Sequence, residues 1–435
     1  MLKKKIIFLL IILIIIFGCI GFLSFKVYNK IKKKNDQLNY LFNTLSYIKI
    51  EIEKTHLEGG YIKTKLNEKL LFKKKSLRKL LGYNSDNYER PFGYIDFFKD
   101  RLIFVSGKGS IYISNDFNGN LDDLNFNLIN TNLKNEFDSI ENFTYKRNFI
   151  RDILVDNDKL YLNIVDMNMV DDIMQYSPKI IVAKITESEE NLFFENFFTS
   201  NEYEIHGSAD LTHGGGRIIN YKDNFLLYSV PEFGSAAEKA QDKKSIFGKM
   251  ILINKESQDY KMFSMGHRNP QGLVWDPKED VILSSEHGPI GGDEVNIIKE
   301  GKNYGWPIAT IGHILVDGSP PKKDPHDNPN YDFEKPADNF GNYNCGPSEI
   351  VKLPANFLNQ KENNFLLSCL SGADPQYGLS LYHYILENNK LVRNQKIYIN
   401  DRIRDLAVFN NKILVLGLEE EHSLGIIYNE NIEID

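Results

Sequence analysis

Cysteine is scarce in this sequence, and basic charge is scarce in most of it. The 435 residues include three cysteines, Cys19, Cys345 and Cys369, which are too few for a disulfide scaffold or a thiolate zinc cage. Residues 89–435 hold 34 basic and 53 acidic side chains, and a body this acidic is a poor candidate for nucleic-acid binding. With 42% hydrophobic and 26% charged residues, the chain is neither collagen-like, nor wholly disordered, nor a multi-span membrane protein.

The amino-terminal segment departs from this composition. Residues 1–88 carry 18 Lys and Arg against 6 Asp and Glu, and residues 6–25 run for 20 positions without a charge. At about 1.5 Å per residue, such a run spans the roughly 30 Å hydrocarbon core of a bilayer. The apolar region of a cleaved signal peptide is usually only about 7–15 residues long. We therefore expect residues 1–34 to be a membrane anchor, a single transmembrane helix with flanking lysines, with a cleaved signal peptide or a lipid-modified Cys19 as the alternatives.

A short helical stalk is predicted over residues 35–88. An apolar stripe at helical steps of 3 and 4 runs through Leu38, Leu41, Leu45, Ile48 and Ile52. Such a stripe can pair two copies of the chain as a short coiled coil. The segment Lys69–Leu81 is basic and amphipathic, which fits a helix on anionic lipid headgroups and fits equally a solvated helix packed on the body.

The body repeats one pattern, a polar turn followed by a short apolar run. The first apolar residues after the turns are Leu102, Leu160, Phe225, Val281, Phe365 and Ile413. Short strands bounded by Asn, Asp and Gly are hairpin signals, and repetition at blade length favours a β-propeller. We therefore predict an all-β fold, a six-bladed β-propeller over residues 89–435, in preference to a pair of β-sandwiches.

Three polar, glycine-rich segments are poorly suited to strand interiors. They are THGGGR at residues 212–217, GHRNPQG at 266–272, and SEHGPIGGDE at 285–294, which runs on to NYGWP at 303–307. Each has an ordinary structural explanation when taken alone. Chemically, Arg268 offers a rigid fork of donors, and carboxylates with turn carbonyls are the oxygen ligands that calcium takes.

In this order the segments resemble the PQQ-dependent family of soluble glucose, aldose sugar and sorbosone dehydrogenases. The resemblance extends from about residue 140 to the C-terminus and includes AQD…GK (240–242 and 248–249) and RIRD (402–405). It implies a six-bladed propeller that uses pyrroloquinoline quinone (PQQ) and calcium to oxidise a sugar at C1, passing hydride to the quinone and electrons to a respiratory acceptor.

The resemblance also implies roles for catalytic residues. His213 resembles the general base that removes the proton of the sugar C1 hydroxyl, and Glu232 falls where the family has its acidic partner. A neighbouring carboxylate strengthens a histidine base. Arg268 resembles the group that polarises the quinone carbonyl, and Asn269 resembles a second cofactor contact.

The same resemblance implies cofactor and metal ligands. The backbone carbonyls of Gly288 and Pro289 match ligands of a cofactor-bound calcium, and Glu294 with the Tyr304 carbonyl matches a structural calcium. The remaining implied cofactor contacts are Arg402 and Arg404, which clamp PQQ carboxylates, and the segment Ser348, Glu349 and Ile350.

Three positions depart from the family pattern. Ser371 stands where a lysine contacts the cofactor, Leu315 where a tyrosine does, and Arg147 where a glutamine lies near the substrate. These losses keep a second interpretation open, a propeller that binds glycans or a protein without turnover, and a calcium-dependent lactonase is a third. The family works outside the cytoplasmic membrane, so we expect a periplasmic body, although the lysines after the predicted span favour the opposite orientation.

Overall fold

The computed structural model describes residues 62–65, 70–77, 93–133, 149–171, 173–187, 190–205, 214–234, 237–312, 326, 329–355, 357–358, 363–371, 377–419 and 422–429. Within these ranges, no helix is both long enough and apolar enough to cross a membrane. The predicted anchor over residues 1–34 and the apolar stripe of the stalk lie outside the described residues. Membrane anchoring and pairing through the stalk therefore stay predictions.

The described strands form six sheets, which we call blades I to VI. Ahead of blade I the chain forms β1 (Ile62–Lys65) and β2 (Leu70–Ser76). Blade I contains β3 (Gly93–Phe98), β4 (Arg101–Ser106), β5 (Ile111–Asp116) and β6 (Phe126–Thr131). Blade II contains β7 (Ile150–Asp156), β8 (Lys159–Val170), β9 (Ile173–Lys184), β11 (Glu195–Thr199) and β12 (Glu204–Ile205). Between β9 and β11, β10 (Asn191–Leu192) pairs in parallel with β6.

Blades III to VI follow the same order. Blade III contains β13 (Ile218–Tyr221), β14 (Phe225–Val230), β15 (Lys249–Asn254) and β16 (Tyr260–Met265), with a 3₁₀ turn at Ala237–Gln241. Blade IV contains β17 (Pro270–Asp276), β18 (Val281–Glu286), β19 (Glu294–Ile298) and β20 (Asp338–Asn339). Blade V contains β21 (Pro347–Lys352), β22 (Asn364–Cys369), β23 (Ser380–Glu387) and β24 (Lys390–Tyr398). Blade VI contains β25 (Ile403–Phe409), β26 (Ile413–Leu418) and β27 (Ser423–Asn429), and it is completed by β2 and β1.

The repeat read from the sequence is confirmed, because each of its six apolar positions lies in the second strand of a different blade. Those strands are β4, β8, β14, β18, β22 and β26. The polar turns before them use left-handed backbone, with positive φ at Lys99, Asn157, Lys222, Asp280 and Asn410. Three of these five residues are Asn or Asp, which tolerate this conformation better than other side chains with a Cβ.

The hydrophobic core lies between the blades. Among the described residues, six of the seven buried clusters each join two neighbouring blades, so that together they bridge all six junctions. At the axis, the first strands contact each other in a closed ring, in the order β3, β7, β13, β17, β21, β25 and back to β3. Since a blade buries its faces only against its neighbours, closure of the ring leaves no blade without a partner.

The predicted helix over Lys69–Leu81 is wrong for residues 70–76, which form β2. This strand pairs antiparallel with β27, from Leu70 opposite Asn429 to Ser76 opposite Ser423. Leu70 and Phe72 are buried in the cluster between blades V and VI, because a free position beside β27 offered more apolar contact than a surface helix could. The propeller therefore includes strands that precede residue 89, and the boundary predicted at that residue is too late.

Candidate active site

The predicted site residues cluster where the first strands of the blades begin. Arg268 and Asn269 directly precede β17. Ser348 lies near the start of β21, and Arg402 and Arg404 lie at the start of β25. These strands are neighbours in the ring around the channel. Hydrogen bonds join the loops of neighbouring blades directly, so one mouth of the channel gathers most of the candidates.

Arg268 lies against the glycine-rich loop that follows β18. Its Nη1 donates to the carbonyl oxygens of Gly288 (2.7 Å) and His287 (3.1 Å), and its guanidinium carbon lies 5.2 Å from the centroid of the Trp306 ring. Arg268 is 8% exposed, and this burial lowers its pKa, against the pull of nearby carboxylates. The predicted quinone-contacting cation and the predicted calcium loop therefore form one unit.

A buried histidine and a glutamate hold Arg268 from behind. Glu286 Oε1 accepts a hydrogen bond from the Arg268 backbone N–H, and its Oε2 lies 3.1 Å from His267 Nδ1. His267 Nε2 lies 2.8 Å from Ser264 Oγ, and the imidazole stacks on Tyr304 with a centroid distance of 4.7 Å. The histidine of GHRN is thus fully buried and structural, and Glu286 is a site residue that the sequence analysis missed.

Asn269 connects this unit to the segment that carries the predicted base. Its Oδ1 accepts from the Gly215 backbone N–H at 3.1 Å. A Cβ placed on Gly215 would lie 2.6 Å from that oxygen, so only glycine allows this approach. His213 itself lies outside the described residues. The described residues resume at Gly214, and the next residue, Gly215, contacts Asn269.

Glu232, the predicted partner of His213, is buried just after β14. Its backbone N–H donates to the Arg268 carbonyl at 2.9 Å, and its carboxylate contributes a Coulombic pull on Arg268. Glu232 therefore lies beside Asn269 and Arg268 in space. Whether its carboxylate meets the imidazole of His213 stays a prediction.

The loop predicted to bind calcium is folded around Asp293. The carboxylate accepts from the backbone N–H groups of Gly288 (2.9 Å) and Gly346 (2.8 Å). Burial raises the pKa of Asp293 to about 6, although these hydrogen bonds and Arg268 oppose the rise. A Cβ on Gly288 would lie 2.1 Å from the Gly291 carbonyl, so the bend has no room for a side chain.

The calcium ligands themselves are only partly assembled by the described residues. The Gly288 carbonyl accepts a hydrogen bond from Arg268. Glu294 is the first residue of β19 and lies opposite Asn339 in the sheet. The Tyr304 hydroxyl donates to the Ile297 carbonyl at 2.7 Å. No group of three or more His, Cys, Asp or Glu side chains converges to hold a metal within the described ranges. Roles for Gly288, Pro289, Glu294 and Tyr304 in binding calcium stay predictions.

Arg402 and Arg404 share one carboxylate. Glu419, which directly follows β26, accepts from Arg402 Nε and from Arg404 Nε, each at 2.6 Å. Arg402 Nη1 also donates to the Leu370 carbonyl (2.7 Å) and Arg404 Nη1 to Gln271 Oε1 (3.0 Å). The two predicted PQQ clamps are therefore held side by side, and Arg404 reaches the strand that follows Arg268. We call this group, the two arginines together with the glutamate that pairs with both, the Glu419 pair.

The segment Ser348–Ile350 lies between the same blades, but its backbone is already engaged. The Ser348 carbonyl accepts from Ser285 Oγ at 2.9 Å, the Glu349 N–H donates to Ser368 Oγ at 3.0 Å, and the Ile350 N–H donates to Glu349 Oε1 at 2.7 Å. The predicted backbone contact of Ser348, Glu349 and Ile350 with the cofactor is not tested by these bonds.

The Glu349 side chain belongs to a cluster at the axis. Arg217 Nη1 lies 2.7 Å from Asp152, 2.8 Å from Glu349 and 2.8 Å from Asp405. Arg217 also donates from Nε to the Gln271 carbonyl (2.6 Å) and from Nη2 to the Arg404 carbonyl (3.2 Å). We call Arg217, Asp152, Glu349 and Asp405 the Arg217 cluster. Its members come from blades II, III, V and VI, so it ties the inner strands together.

The structure locates Ser371, the one described member of the three departures. Its N–H donates to the Cys345 carbonyl at 2.9 Å, beside a disulfide between Cys345 and Cys369, which the sequence analysis did not anticipate. Lys352 does not replace the missing lysine, because its Nζ pairs with Asp276 Oδ1 at 2.5 Å, at the opposite end of β21. Leu315 and Arg147 lie outside the described residues.

Some motif residues serve the scaffold. Lys249 of the AQD…GK motif is buried, and its Nζ donates to the carbonyls of Lys239 (2.7 Å), Phe247 (2.8 Å) and Ala240 (3.0 Å), while burial lowers its pKa to about 8. Gln241 Nε2 donates to the Trp306 carbonyl at 2.6 Å. These contacts fix the 3₁₀ turn under NYGWP and give that motif no direct chemical role.

The donor set at the mouth fits a planar, carboxylated quinone. Three arginines, Arg268, Arg402 and Arg404, lie at the starts of β17 and β25, and guanidinium forks match carboxylate and carbonyl oxygens. For calcium, the loop offers backbone carbonyls and no carboxylate cluster. This fits an ion whose remaining ligands come from the cofactor and from water.

Comparisons with known proteins agree with this geometry. Residues 154–426, more than half of the chain, match the family model described as glucose / sorbosone dehydrogenase. An aldose sugar dehydrogenase of Escherichia coli (strain K12) is 35% identical over 113 residues, which are 23% of this chain and 30% of that protein. A quinoprotein glucose dehydrogenase B of Acinetobacter calcoaceticus is 37% identical over 124 residues, 22% of this chain and 26% of that protein. The chain thus spans less than a third of these relatives.

Among solved structures, the PQQ-bound form of an aldose sugar dehydrogenase from Streptomyces coelicolor superposes with a TM-score of 0.56. The match covers 82% of this chain and 98% of that one, at 19% identity. The apo-form of the soluble aldose sugar dehydrogenase from Escherichia coli gives 0.60, at 18% identity, over 82% and 99%. At these identities the likeness establishes the fold.

Proposed function

This chain belongs to the glucose/sorbosone dehydrogenase family, and on that premise we propose that it is a PQQ-dependent dehydrogenase that oxidises an aldose or a related sugar at C1. The observation that carries the proposal is the contact of Arg268 with the Gly288 loop, beside Asn269 and Glu232, at the mouth where Arg402 and Arg404 also lie. The contacts of Arg268 with the Gly288 carbonyl and with the backbone N–H of the buried Glu232 support the proposal.

The chain's own residues would divide the work as follows. Arg402 and Arg404 would bind carboxylates of the cofactor, and Arg268 would stabilise the negative charge that develops on the quinone. His213 takes the proton of the C1 hydroxyl at an imidazole nitrogen, and Glu232 strengthens that base. Bound PQQ would supply the two-electron acceptor for the sugar.

Calcium binding is part of the same proposal. The carbonyl oxygens of Gly288 and Pro289 would hold an ion beside the cofactor and add positive charge there, and Glu294 with the Tyr304 carbonyl would hold a structural ion. We expect chelation by EDTA to lower PQQ affinity and activity, and added Ca²⁺ to restore both. Equal PQQ affinity with and without EDTA would remove calcium from the proposal.

The test is reconstitution of the purified full chain with PQQ and Ca²⁺. We expect aldoses to produce the reduced-quinone spectrum and to drive dye reduction. A protein that binds PQQ yet shows neither signal with any aldose would contradict the proposed activity. Calorimetric titration separates the alternative of a glycan- or protein-binding module, which would take up Ca²⁺ or glycan without PQQ.

We also propose that the body is held outside the cytoplasmic membrane by the anchor over residues 1–34, with electrons leaving to a respiratory acceptor. The disulfide Cys345–Cys369 supports an oxidising compartment, because structural disulfides persist there and are rare in the cytosol. Protease added to intact spheroplasts should digest the body. Full resistance would reverse the orientation.

A further inference from the structure

The Glu419 pair is built from one buried carboxylate and two arginines. The Glu419 side chain is 1% exposed, while the side chains of Arg402 and Arg404 are 19% and 11% exposed. Glu419 is also fixed through its backbone, since its N–H donates to the Arg402 carbonyl at 2.9 Å. The carboxylate is therefore behind the arginines, and the arginines are the members of the group that solvent reaches.

The charge of this group does not cancel. Burial disfavours the ionised carboxylate, but the attraction of Arg404 and Arg402 and their hydrogen bonds outweigh it, so the pKa of Glu419 lies below its usual range. Two guanidinium groups and one carboxylate leave a net positive charge on this group of three side chains. That surplus favours an anionic ligand.

The geometry fixes both guanidinium planes. Arg402 is held at Nε by Glu419 and at Nη1 by the Leu370 carbonyl, and Arg404 is held at Nε by Glu419 and at Nη1 by Gln271. A planar group held at two nitrogens cannot rotate about its last bond. Most of the rotamer freedom that an arginine loses on binding a ligand is therefore already lost.

We propose that Glu419 is the positioning residue of the anion subsite: it holds Arg402 and Arg404 at one fixed separation so that both guanidinium groups engage the carboxylates of one planar ligand. The inference rests on the proposed function, in which that ligand is PQQ. Nothing in the sequence motif RIRD indicates this residue, which directly follows β26, the strand that pairs with β25.

The test compares Glu419→Gln with a matched control, Asp276→Asn. Asp276 is also a buried carboxylate with one close cation, Lys352 at 2.5 Å, but it lies at the opposite end of the inner strands. We expect Glu419→Gln to weaken binding of PQQ by about tenfold or more, since a charge-assisted bond to each arginine is lost. We expect Asp276→Asn to change it by less than about twofold.

PQQ affinity is measured on the full chain by fluorescence quenching, without sugar, next to thermal unfolding of each variant. Glu419→Asp, which keeps the charge but is one methylene too short to reach both Nε atoms, provides a second variant should the Gln protein be poorly folded; we expect an intermediate loss. Equal affinity of wild type and both variants would overturn this inference alone. A wild type that binds no PQQ would overturn the proposed function and this inference with it.

Whether Glu419 holds the two arginines can be measured directly, without PQQ. Arginine Nε–Hε resonances of Arg402 and Arg404 should be protected from exchange in the wild type and lose that protection in Glu419→Gln, even without PQQ. Unchanged resonances would show that Glu419 does not hold the two side chains.

Discussion

Two buried ion clusters lie close together on this channel, and their compositions are opposite. In the Arg217 cluster one guanidinium meets three carboxylates, whereas in the Glu419 pair one carboxylate meets two guanidinium groups. Arg217 links the two directly through the Arg404 carbonyl. The acidic cluster is buried and joins blades; the basic pair is partly exposed and opens to the mouth.

The pKa directions follow from the composition. Burial raises the pKa of Asp152 to about 7 and raises that of Glu349 well above its usual range, against the pull of Arg217. The two arginines instead hold the pKa of Glu419 below its usual range, against burial. The comparison teaches that the ratio of charges decides the role: an excess of carboxylates suits closure of the ring, and an excess of cations suits an anionic ligand.

Removal of Arg217 should have the largest effect. Arg217→Met leaves Asp152, Glu349 and Asp405 buried without their cation, and breaking such a group typically costs about 3–5 kcal/mol. The matched control is Arg393→Met, since Arg393 pairs with the partly exposed Asp338 at 2.6 Å and should cost about 1 kcal/mol or less. Urea unfolding of the full chain measures both. A cost for Arg217→Met no larger than the control would mean that the cluster does not hold the ring.

A substitution of Arg268 tests the role of a cation at the channel mouth, with kcat as the measured quantity. Arg268→Lys keeps the charge but replaces the planar guanidinium, whose Nη1 donates to the Gly288 and His287 carbonyls, by a flexible ammonium with no second donor nitrogen. Loss of such a preorganised donor lowers kcat by about 10²–10³-fold. Arg393→Lys, which likewise alters an arginine packed on an aromatic ring, Phe340 at 4.1 Å, should leave kcat unchanged. Steady-state dye reduction checks this, and near-wild-type kcat in Arg268→Lys would remove Arg268 from the reaction.

The sequence predicted the fold because the repeat is local, whereas much of the site is not local. Turn residues and short apolar runs mark each second strand, so Leu102, Leu160 and their counterparts could be found by period alone. Glu419 contacts Arg404 across 15 positions, and Asp293 contacts Gly346 across 53, and no spacing rule links such pairs. The helix prediction for Lys69–Leu81 is wrong over residues 70–76 because a strand with one buried face and a run of lysines has the composition of an amphipathic helix.

The disulfide should contribute less than the Arg217 cluster but still measurably. It closes a loop with a sequence separation of 24 residues, and a bond of this kind typically stabilises by about 2–4 kcal/mol. Replacing Cys345 and Cys369 together by Ser should lower the unfolding midpoint and disturb the loop at Gly346, which donates to Asp293. Reductant should lower the wild-type midpoint in the same way and leave the double variant unaffected. A double variant as stable as the wild type would contradict this.

The smallest effect should be a pH dependence of opposite sign at the two clusters. Beside the Arg217 cluster, burial and the charges of Asp405 and Asp152 raise the pKa of Asp96 to about 7, although the N–H groups of Val155 and Phe97 donate to it. Unfolded Asp96 ionises near 3.8, so between about pH 4 and pH 7 the folded state binds more protons, and stability falls as pH rises through this window. Glu419, whose pKa is lowered, acts the other way: its contribution is present above its unfolded pKa and is lost in acid.

Asp96→Asn isolates the acidic side of that comparison. The wild type should gain unfolding free energy from pH 8 to pH 5, because Asp96 and Asp152, each with a pKa raised to about 7, take up protons on the folded side. Asp96→Asn should lose the share that Asp96 contributes, on the order of 2 kcal/mol. Urea unfolding at both pH values measures the difference. If the variant keeps the full gain, Asp96 ionises in the folded protein as it does in the unfolded chain, and an excess of buried carboxylates is not what sets the pH response of the ring.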